Sequence, residues 1–291
     1  MILNFGSINL DLVYRVPHLP SAGETLASAS FEKYLGGKGI NQSIAAHRAG
    51  AETLHIGCLG PDGDWLRDQI ADFGLPLDGL QSVETPTGHA VIFVDDAAEN
   101  QIVLFGGSNH AFTRSQFDAV LAKADPASDW VLCQNETNAV PELAKAAKAK
   151  GLRVAYSAAP FDADHAVPML DHIDLLAVNE GEAAALQSAL GKDPRSLGLP
   201  FLLVTKGSKG ADLFTATDSY SQTSFAVDPV DTTGAGDTFL GAFIAEFTLS
   251  NDPATALRFA AAASAIQVTR AGAAPAIPMR NDVLAFLKDQ S

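Results

Sequence analysis

Apolar residues recur along this chain in two rhythms. Short runs such as Trp130–Cys133, Val154–Tyr156, Leu175–Val178 and Phe201–Val204 are continuously apolar and predict strands buried on both faces. Between them lie longer stretches with apolar positions at helical spacing, such as the Ala-rich run from about Pro141 to Lys150. Phe239, Leu240, Phe243, Ile244 and Phe247 mark another such helix. A further helix is predicted to start at Asp252-Pro253, with the acid as cap and the proline in the first turn. Strand and helix in alternation predict an α/β protein with a three-layer α/β/α arrangement around a mostly parallel sheet. Two stretches, about 10–34 and 85–108, keep a period of two instead, as in Thr87 to Val94. They predict antiparallel strands that form either a small projecting β-sheet lid or an edge extension of the main sheet. No repeat or long linker divides residues 1–291, which read as a single domain.

Polar residues cluster where the predicted strands end, which is where open α/β sheets bind ligands. In Val230-Asp231-Thr232-Thr233-Gly234-Ala235-Gly236-Asp237-Thr238 a small-residue turn opens a helix and places one carboxylate just behind it. Unsatisfied amides at a helix N-terminus bind phosphate without Lys or Arg. A fixed negative charge at Asp237 opposes that binding unless it serves as general base for a hydroxyl attacking the phosphate. A plain N-cap is the competing reading. A dinucleotide fingerprint fails because Phe239 stands where glycine is needed, and no Walker A spacing occurs anywhere. A second run, Gly36-Gly37-Lys38-Gly39-Ile40-Asn41-Gln42, also leads into a helix, ending at Ala49-Gly50. Lys38 and Asn41 there suit polyol hydroxyls or phosphate oxygens. Asn9 and Asp11 lie two apart, hence on one strand face, as a clamp for sugar hydroxyls.

The formal net charge of −15 argues against nucleic acid and anionic membrane as partners. No run of about 18 apolar residues spans a bilayer, and the first residues lack a basic leader pattern, so a cytoplasmic protein is expected. Cys58 and Cys133 sit in apolar strand-like runs and read as buried thiols, consistent with a reducing compartment. The histidines show no metal-ligand spacing with cysteines or carboxylates.

Taken in order, Gly6-Ser-Ile-Asn-Leu-Asp11, Gly36-Gly-Lys-Gly-Ile-Asn-Gln42, Val178-Asn-Glu-Gly-Glu182, Thr205-Lys-Gly-Ser-Lys-Gly210 and Asp231-Thr-Thr-Gly-Ala-Gly-Asp-Thr-Phe239 resemble the ribokinase-like (PfkB) sugar kinases along nearly the whole chain. The second run and the tail Val268 to Pro275 are most similar to the ribose-phosphorylating members.

The resemblance implies an ATP-dependent kinase acting on a primary sugar hydroxyl, with D-ribose foremost. Fructose, another ketose or a nucleoside is the alternative substrate, and a non-catalytic sugar-responsive binding protein is the alternative of another class. It assigns Asp237 as base and Gly234, Ala235 and Gly236 as the amide cradle. The sugar contacts are Asn9, Asp11, Gly37, Lys38, Asn41 and Glu136, with a cap for the helix near Pro141 as the competing reading of Glu136. Thr205, Gly207 and Gly210 would follow the nucleotide, or else form an ordinary hairpin turn. Asn179 and Glu182 would order Mg²⁺ through water, or else be a polar first helical turn. Potassium is expected as an activator at Asp231, Thr233, Gln267, Arg270, Gly272 and Ala276, mostly through backbone carbonyls. Ala276 and Ser157 depart from the family pattern, as does Ala261 in place of a larger ring beside adenine. The segment Gly191–Pro200 is shorter than expected. A homodimer formed through the lid completes the expectation.

Overall fold

The computed structural model describes residues 1–97 and 99–290. Strands β1 (Ile2–Phe5), β2 (Asn9–Arg15) and β3 (Ser30–Gly36) precede helix α1 (Lys38–Arg48), β4 (Thr53–Leu59), α2 (Asp64–Asp72) and β5 (Leu80–Ser82). Next come β6 (His89–Val94), β7 (Asn100–Phe105), α3 (Arg114–Leu121), β8 (Trp130–Gln134), α4 (Val140–Ala149), β9 (Arg153–Ser157) and α5 (Ala163–Met169). The chain continues through β10 (Leu175–Asn179), α6 (Glu180–Leu190), β11 (Phe201–Thr205), β12 (Ala211–Thr215) and β13 (Ser219–Gln222). It finishes with α7 (Ala235–Ser250), α8 (Pro253–Val268) and α9 (Arg280–Asp289).

The main sheet has the order β13-β12-β11-β10-β9-β8-β1-β4-β5. It is parallel from β5 to β11, and β12 and β13 extend it antiparallel. Continuous apolar strands arise because each face meets a different helical layer. Trp130 and Leu132 pack toward α7 and α8, whereas Val131 and Cys133 pack toward the layer that includes α3 and α4. α7 is buried throughout from Thr238 to Phe247 and is apolar on nearly every side, its one charged residue in that span, Glu246, being paired with Arg280 at 2.6 Å. Its Phe243 and Phe247 stack with centroids 5.9 Å apart, and burying such a ring stabilises by about 1.5–3 kcal/mol. Cys58 and Cys133 are free and buried. The helix predicted at Asp252-Pro253 forms, with the Asp252 carboxylate accepting the Thr255 amide.

The two period-two stretches form a separate four-stranded sheet of order β3-β2-β6-β7, not an extension of the main one. One expectation is corrected: the strands are not all antiparallel. β2–β3 and β6–β7 are antiparallel, but β2 and β6 pair in parallel because residues 53–82 cross over between them within the main sheet. β1 runs almost directly into β2, so the small sheet stands at the carboxyl end of the main sheet, over the motif-bearing loops.

Candidate active site

Gly234 has φ 76°, a left-handed conformation that a side chain resists, and this turns the chain so that α7 begins at Ala235. No side chain caps that helix end, and past Ala235, whose amide donates to the Thr232 carbonyl at 3.2 Å, the next amides of the first turn remain open to a ligand. Asp237 projects from the first turn. Its Oδ1 accepts from Gln42 Nε2 at 2.8 Å and its Oδ2 from Asn41 Nδ2 at 3.3 Å. These contacts exist because α7 and α1 touch at Gly241, one turn below Asp237. A Cβ there would lie 2.5 Å from the Gln42 carbonyl and 2.6 Å from Ala45 Cβ. Asp237 is therefore not an N-cap. Burial pushes its carboxyl up to about 6, against the opposing pull of Lys38 and of the two amides.

Lys38 opens α1 beside this carboxylate. Burial alone would lower its ammonium, but Glu136 and Asp237 outweigh that and hold it above its ordinary range. Glu136 does not cap α4, whose N-cap is Ala139. Its Oε2 accepts from Ser7 Oγ at 2.5 Å and from the Lys38 amide at 2.9 Å, and its Oε1 lies 3.6 Å from Lys38 Nζ. Asp11 reaches from β2 across Gly36, with its carboxyl pushed up to about 7 by burial and by the charge of Glu136. Among the described residues, none hydrogen-bonds its carboxylate. Asn9, two residues before it, is held by Asn109 Nδ2 at 2.7 Å, and Asn109 Oδ1 accepts the Ile8 amide at 2.9 Å. Gly37 supplies the turn between β3 and α1. The structure thus brings Asn9, Asp11, Gly37, Lys38, Asn41, Glu136 and Asp237 to one place.

Two cavities meet there. One, of about 310 Å³, is bordered by Lys38, Asn179, Glu182, Gly234 and Asp237. The other, of about 490 Å³ and largely apolar, is bordered by Gly207, Gly210, Phe225 and Ala261. They share Thr205, Thr232, Ala235 and Gly236, so a single trough runs past the amino end of α7. The stretch from Thr205 to Gly210 is indeed a hairpin connection between β11 and β12, and it forms one wall of that trough. Asn179 and Glu182 form a reciprocal capping box on α6, with Asn179 Oδ1 accepting the Glu182 amide and Glu182 Oε2 the Asn179 amide. The helical-turn reading of this pair holds, and both residues still border the pocket. Their hard oxygen atoms are of the class Mg²⁺ accepts through water.

Beyond the α7 turn, Asp231 accepts the Thr233 and Gly272 amides, at 2.9 Å each. Burial would raise its carboxyl, but these bonds outweigh it and hold it below the usual range. Gln267 Nε2 donates to the Thr233 carbonyl at 2.7 Å and the Gly272 carbonyl at 3.3 Å, while its buried Oε1 has no partner. Arg270 Nη1 approaches the Ala276 carbonyl at 3.5 Å. A carboxylate, an orphan amide oxygen and several carbonyls on adjoining turns are donors that fit a monovalent cation. Ala276 contributes no side-chain oxygen. Sequence reasoning passed over Ser7, Gln42, Asn109 and Gln134. The signal for Asn109 was a polar Ser-Asn-His segment directly after a period-two strand.

An open helix amino end with a carboxylate behind it, facing a trough and a pocket of hydroxyl-binding groups, defines a phosphotransferase acting on a polyhydroxy acceptor. The chain belongs to the pfkB family of carbohydrate kinases, whose model matches residues 1–280. Among its relatives, the ribokinase of Haemophilus influenzae is 35% identical, with 97% of each chain covered. The structure of Arabidopsis thaliana ribokinase complexed with ribose and ATP superposes with a TM-score of 0.87 at 32% identity, covering 99% of this chain and 98% of that one. Ribokinase from Thermotoga maritima gives a TM-score of 0.86 at 31% identity over 99% of both chains.

Proposed function

We propose that this protein transfers the γ-phosphate of ATP to the 5-hydroxyl of D-ribose. The observation that carries the reading is Asp237, a half-buried carboxylate held by Asn41 and Gln42 at the open amino end of α7, with Lys38 and Glu136 opposite. Asp11, Asn9 and Glu136 accept hydrogen bonds from sugar hydroxyls, and Lys38 and Asn41 donate to them. This places the primary hydroxyl against Asp237. That carboxylate takes the hydroxyl proton as the sugar oxygen bonds to the γ-phosphorus and the bond to the ADP oxygen breaks. The Gly234–Gly236 turn and the first amides of α7 hold the charge on the phosphoryl oxygens. Adenosine lies along the apolar trough past Thr205, Gly207 and Gly210. With its carboxyl near 6, Asp237 is mostly ionised at neutral pH and ready to accept a proton.

Mg²⁺, held through water by Glu182 and Asn179, and potassium, held at Asp231, Thr233, Gln267, Arg270, Gly272 and Ala276, would supply neutralisation of phosphate charge. The small β sheet acts as the lid that keeps water from the phosphoryl group. Its edge strand β7 exposes Ile102, Val103, Leu104 and Phe105, with Val103 61% and Leu104 63% accessible. Such an apolar edge fits the same strand of a second copy, giving a homodimer.

The test is ADP release from Mg-ATP with D-ribose, 2-deoxyribose, fructose, tagatose and nucleosides, each in sodium or potassium. Turnover on ribose, stimulated by potassium and reduced about 10²–10⁴-fold by Asp237→Asn, is the expected result. Turnover on another sugar alone would overturn the ribose assignment. Wild-type rates in Asp237→Asn would overturn the base.

A further inference from the structure

Behind Asp237 lies a chain of buried amides that the reaction as described does not use. Asn4, Gln42, Ser43, His55 and Gln134 are each 1% exposed or less, although every one is polar. Gln134 Nε2 donates to Asn4 Oδ1 at 2.9 Å and to Gln42 Oε1 at 2.7 Å, and Gln42 Nε2 donates to Asp237 Oδ1 at 2.8 Å. Asn4 Nδ2 in turn donates to the Gly39 carbonyl at 2.7 Å and to Ser43 Oγ at 2.8 Å, and Ser43 Oγ bonds His55 Nδ1 at 2.8 Å.

The direction of this chain is forced. An ionised Asp237 offers only acceptors, so Gln42 must present its NH₂ to it and turn its Oε1 inward. That oxygen then requires a donor, which Gln134 supplies, and Gln134 has both its N–H groups engaged. Its own Oε1 is buried without a partner, directed at Gly6, where a Cβ would lie 2.7 Å away. An orphaned buried carbonyl is costly, yet turning the amide over would set its oxygen against the Asn4 and Gln42 oxygens, leave it still without a donor and break two bonds. The arrangement therefore favours the orientation of Gln42 over the satisfaction of Gln134.

We infer that Gln134 is a positioning residue: acting through Gln42, it fixes the rotamer and hydrogen-bonding polarity of the group that receives the sugar proton. The inference rests on the reading of Asp237 as base. The other charges facing Asp237 are Lys38 at the start of α1 and Glu136 after β8, whereas the side-chain bonds of Gln134 go to Asn4 and Gln42. Two variants separate the effects. Gln134→Met keeps length and packing but removes the donor, and the isosteric Gln134→Glu replaces the donor with an acceptor that pulls the Gln42 NH₂ away from Asp237.

The experiment measures the Asp237 carboxyl carbon by NMR titration of the ligand-free protein, assigned with Asp237→Asn, alongside kcat and KM from pH 5 to 9. Loss of an oriented donor raises the Asp237 midpoint, and we expect about one unit in Gln134→Met and more in Gln134→Glu. For a base near 6, a one-unit rise lowers kcat at pH 6 roughly fivefold and leaves a smaller deficit at pH 8.5, with KM for ATP unchanged. A uniform loss at every pH with an unshifted midpoint means a merely structural role and overturns the inference. A shifted midpoint in a protein whose wild type turns over no sugar upholds the positioning contact and refutes the kinase reading instead.

Discussion

Gly241 is where the site's geometry meets the core, and Gly241→Ala probes both. A new Cβ would stand 2.5 Å from the Gln42 carbonyl and 3.0 Å from the Ala46 amide, both backbone, where ordinary contact begins at 3.4 Å. Relief therefore requires α7 to move off α1 by roughly 1 Å. Overpacking of this kind costs about 1–3 kcal/mol, offset by about 1 kcal/mol for replacing glycine within a helix, so stability falls by roughly 0–2 kcal/mol. Activity falls further, because Asp237 and Gln42 sit on the two helices being separated and their 2.8 Å bond lengthens with them. A displacement near 1 Å at a reacting group costs about 10²-fold in rate. Urea unfolding gives the first quantity and ADP release under saturating sugar and Mg-ATP gives the second. A variant with higher urea midpoint and undiminished kcat would show that α1 and α7 do not align the carboxylate.

Two further outcomes follow from the same observations. The carboxyls of Asp237 and Asp11 are both raised, to about 6 and about 7, so their contribution to stability is complete below the ordinary Asp range near 4 and is lost as pH rises through those values. Asp237→Asn should therefore raise the melting temperature of the ligand-free protein by a few degrees at pH 8 and by nothing at pH 4 in calorimetry, and an equal gain at both would contradict the raised carboxyl. Val103→Asp, on the lid face opposite Asp11, should convert a sedimenting dimer to monomer while leaving ligand-free melting little changed. A wild-type protein that sediments as monomer at micromolar concentration would refute the lid interface.

The layered architecture was legible because buried parallel strands such as Trp130–Cys133 must be apolar on both faces, and α7 on nearly every side. The parallel pairing of β2 with β6 was not, since period two reports a half-buried strand and says nothing about which neighbour it meets. The same limit hid the antiparallel strands β12 and β13, seen beforehand only as a turn. In the site, Lys38, Asn41 and Asp237 stood out because glycine-rich turns flanked them. Glu136 was ambiguous between cap and ligand until its bonds to Ser7 and Lys38 excluded the cap. Asn179 and Glu182 remained ambiguous because a capping box and a pocket wall draw on the same residues. Asn4 and Gln134 gave no signal at all: a single amide inside a strand is indistinguishable from an edge position until the fold surrounds it.

The hydrogen bonds behind Asp237 join residues 92, 130 and 195 positions apart, so no chain that stops short of residue 237 contains a complete set. During synthesis the sheet through β11 can assemble on the emerging chain, yet α7 arrives only after residue 234 has left the ribosome. A chain that stops short of Asp237 therefore lacks the carboxylate behind the phosphate cradle, and in refolding turnover is expected to return only once these long loops have closed.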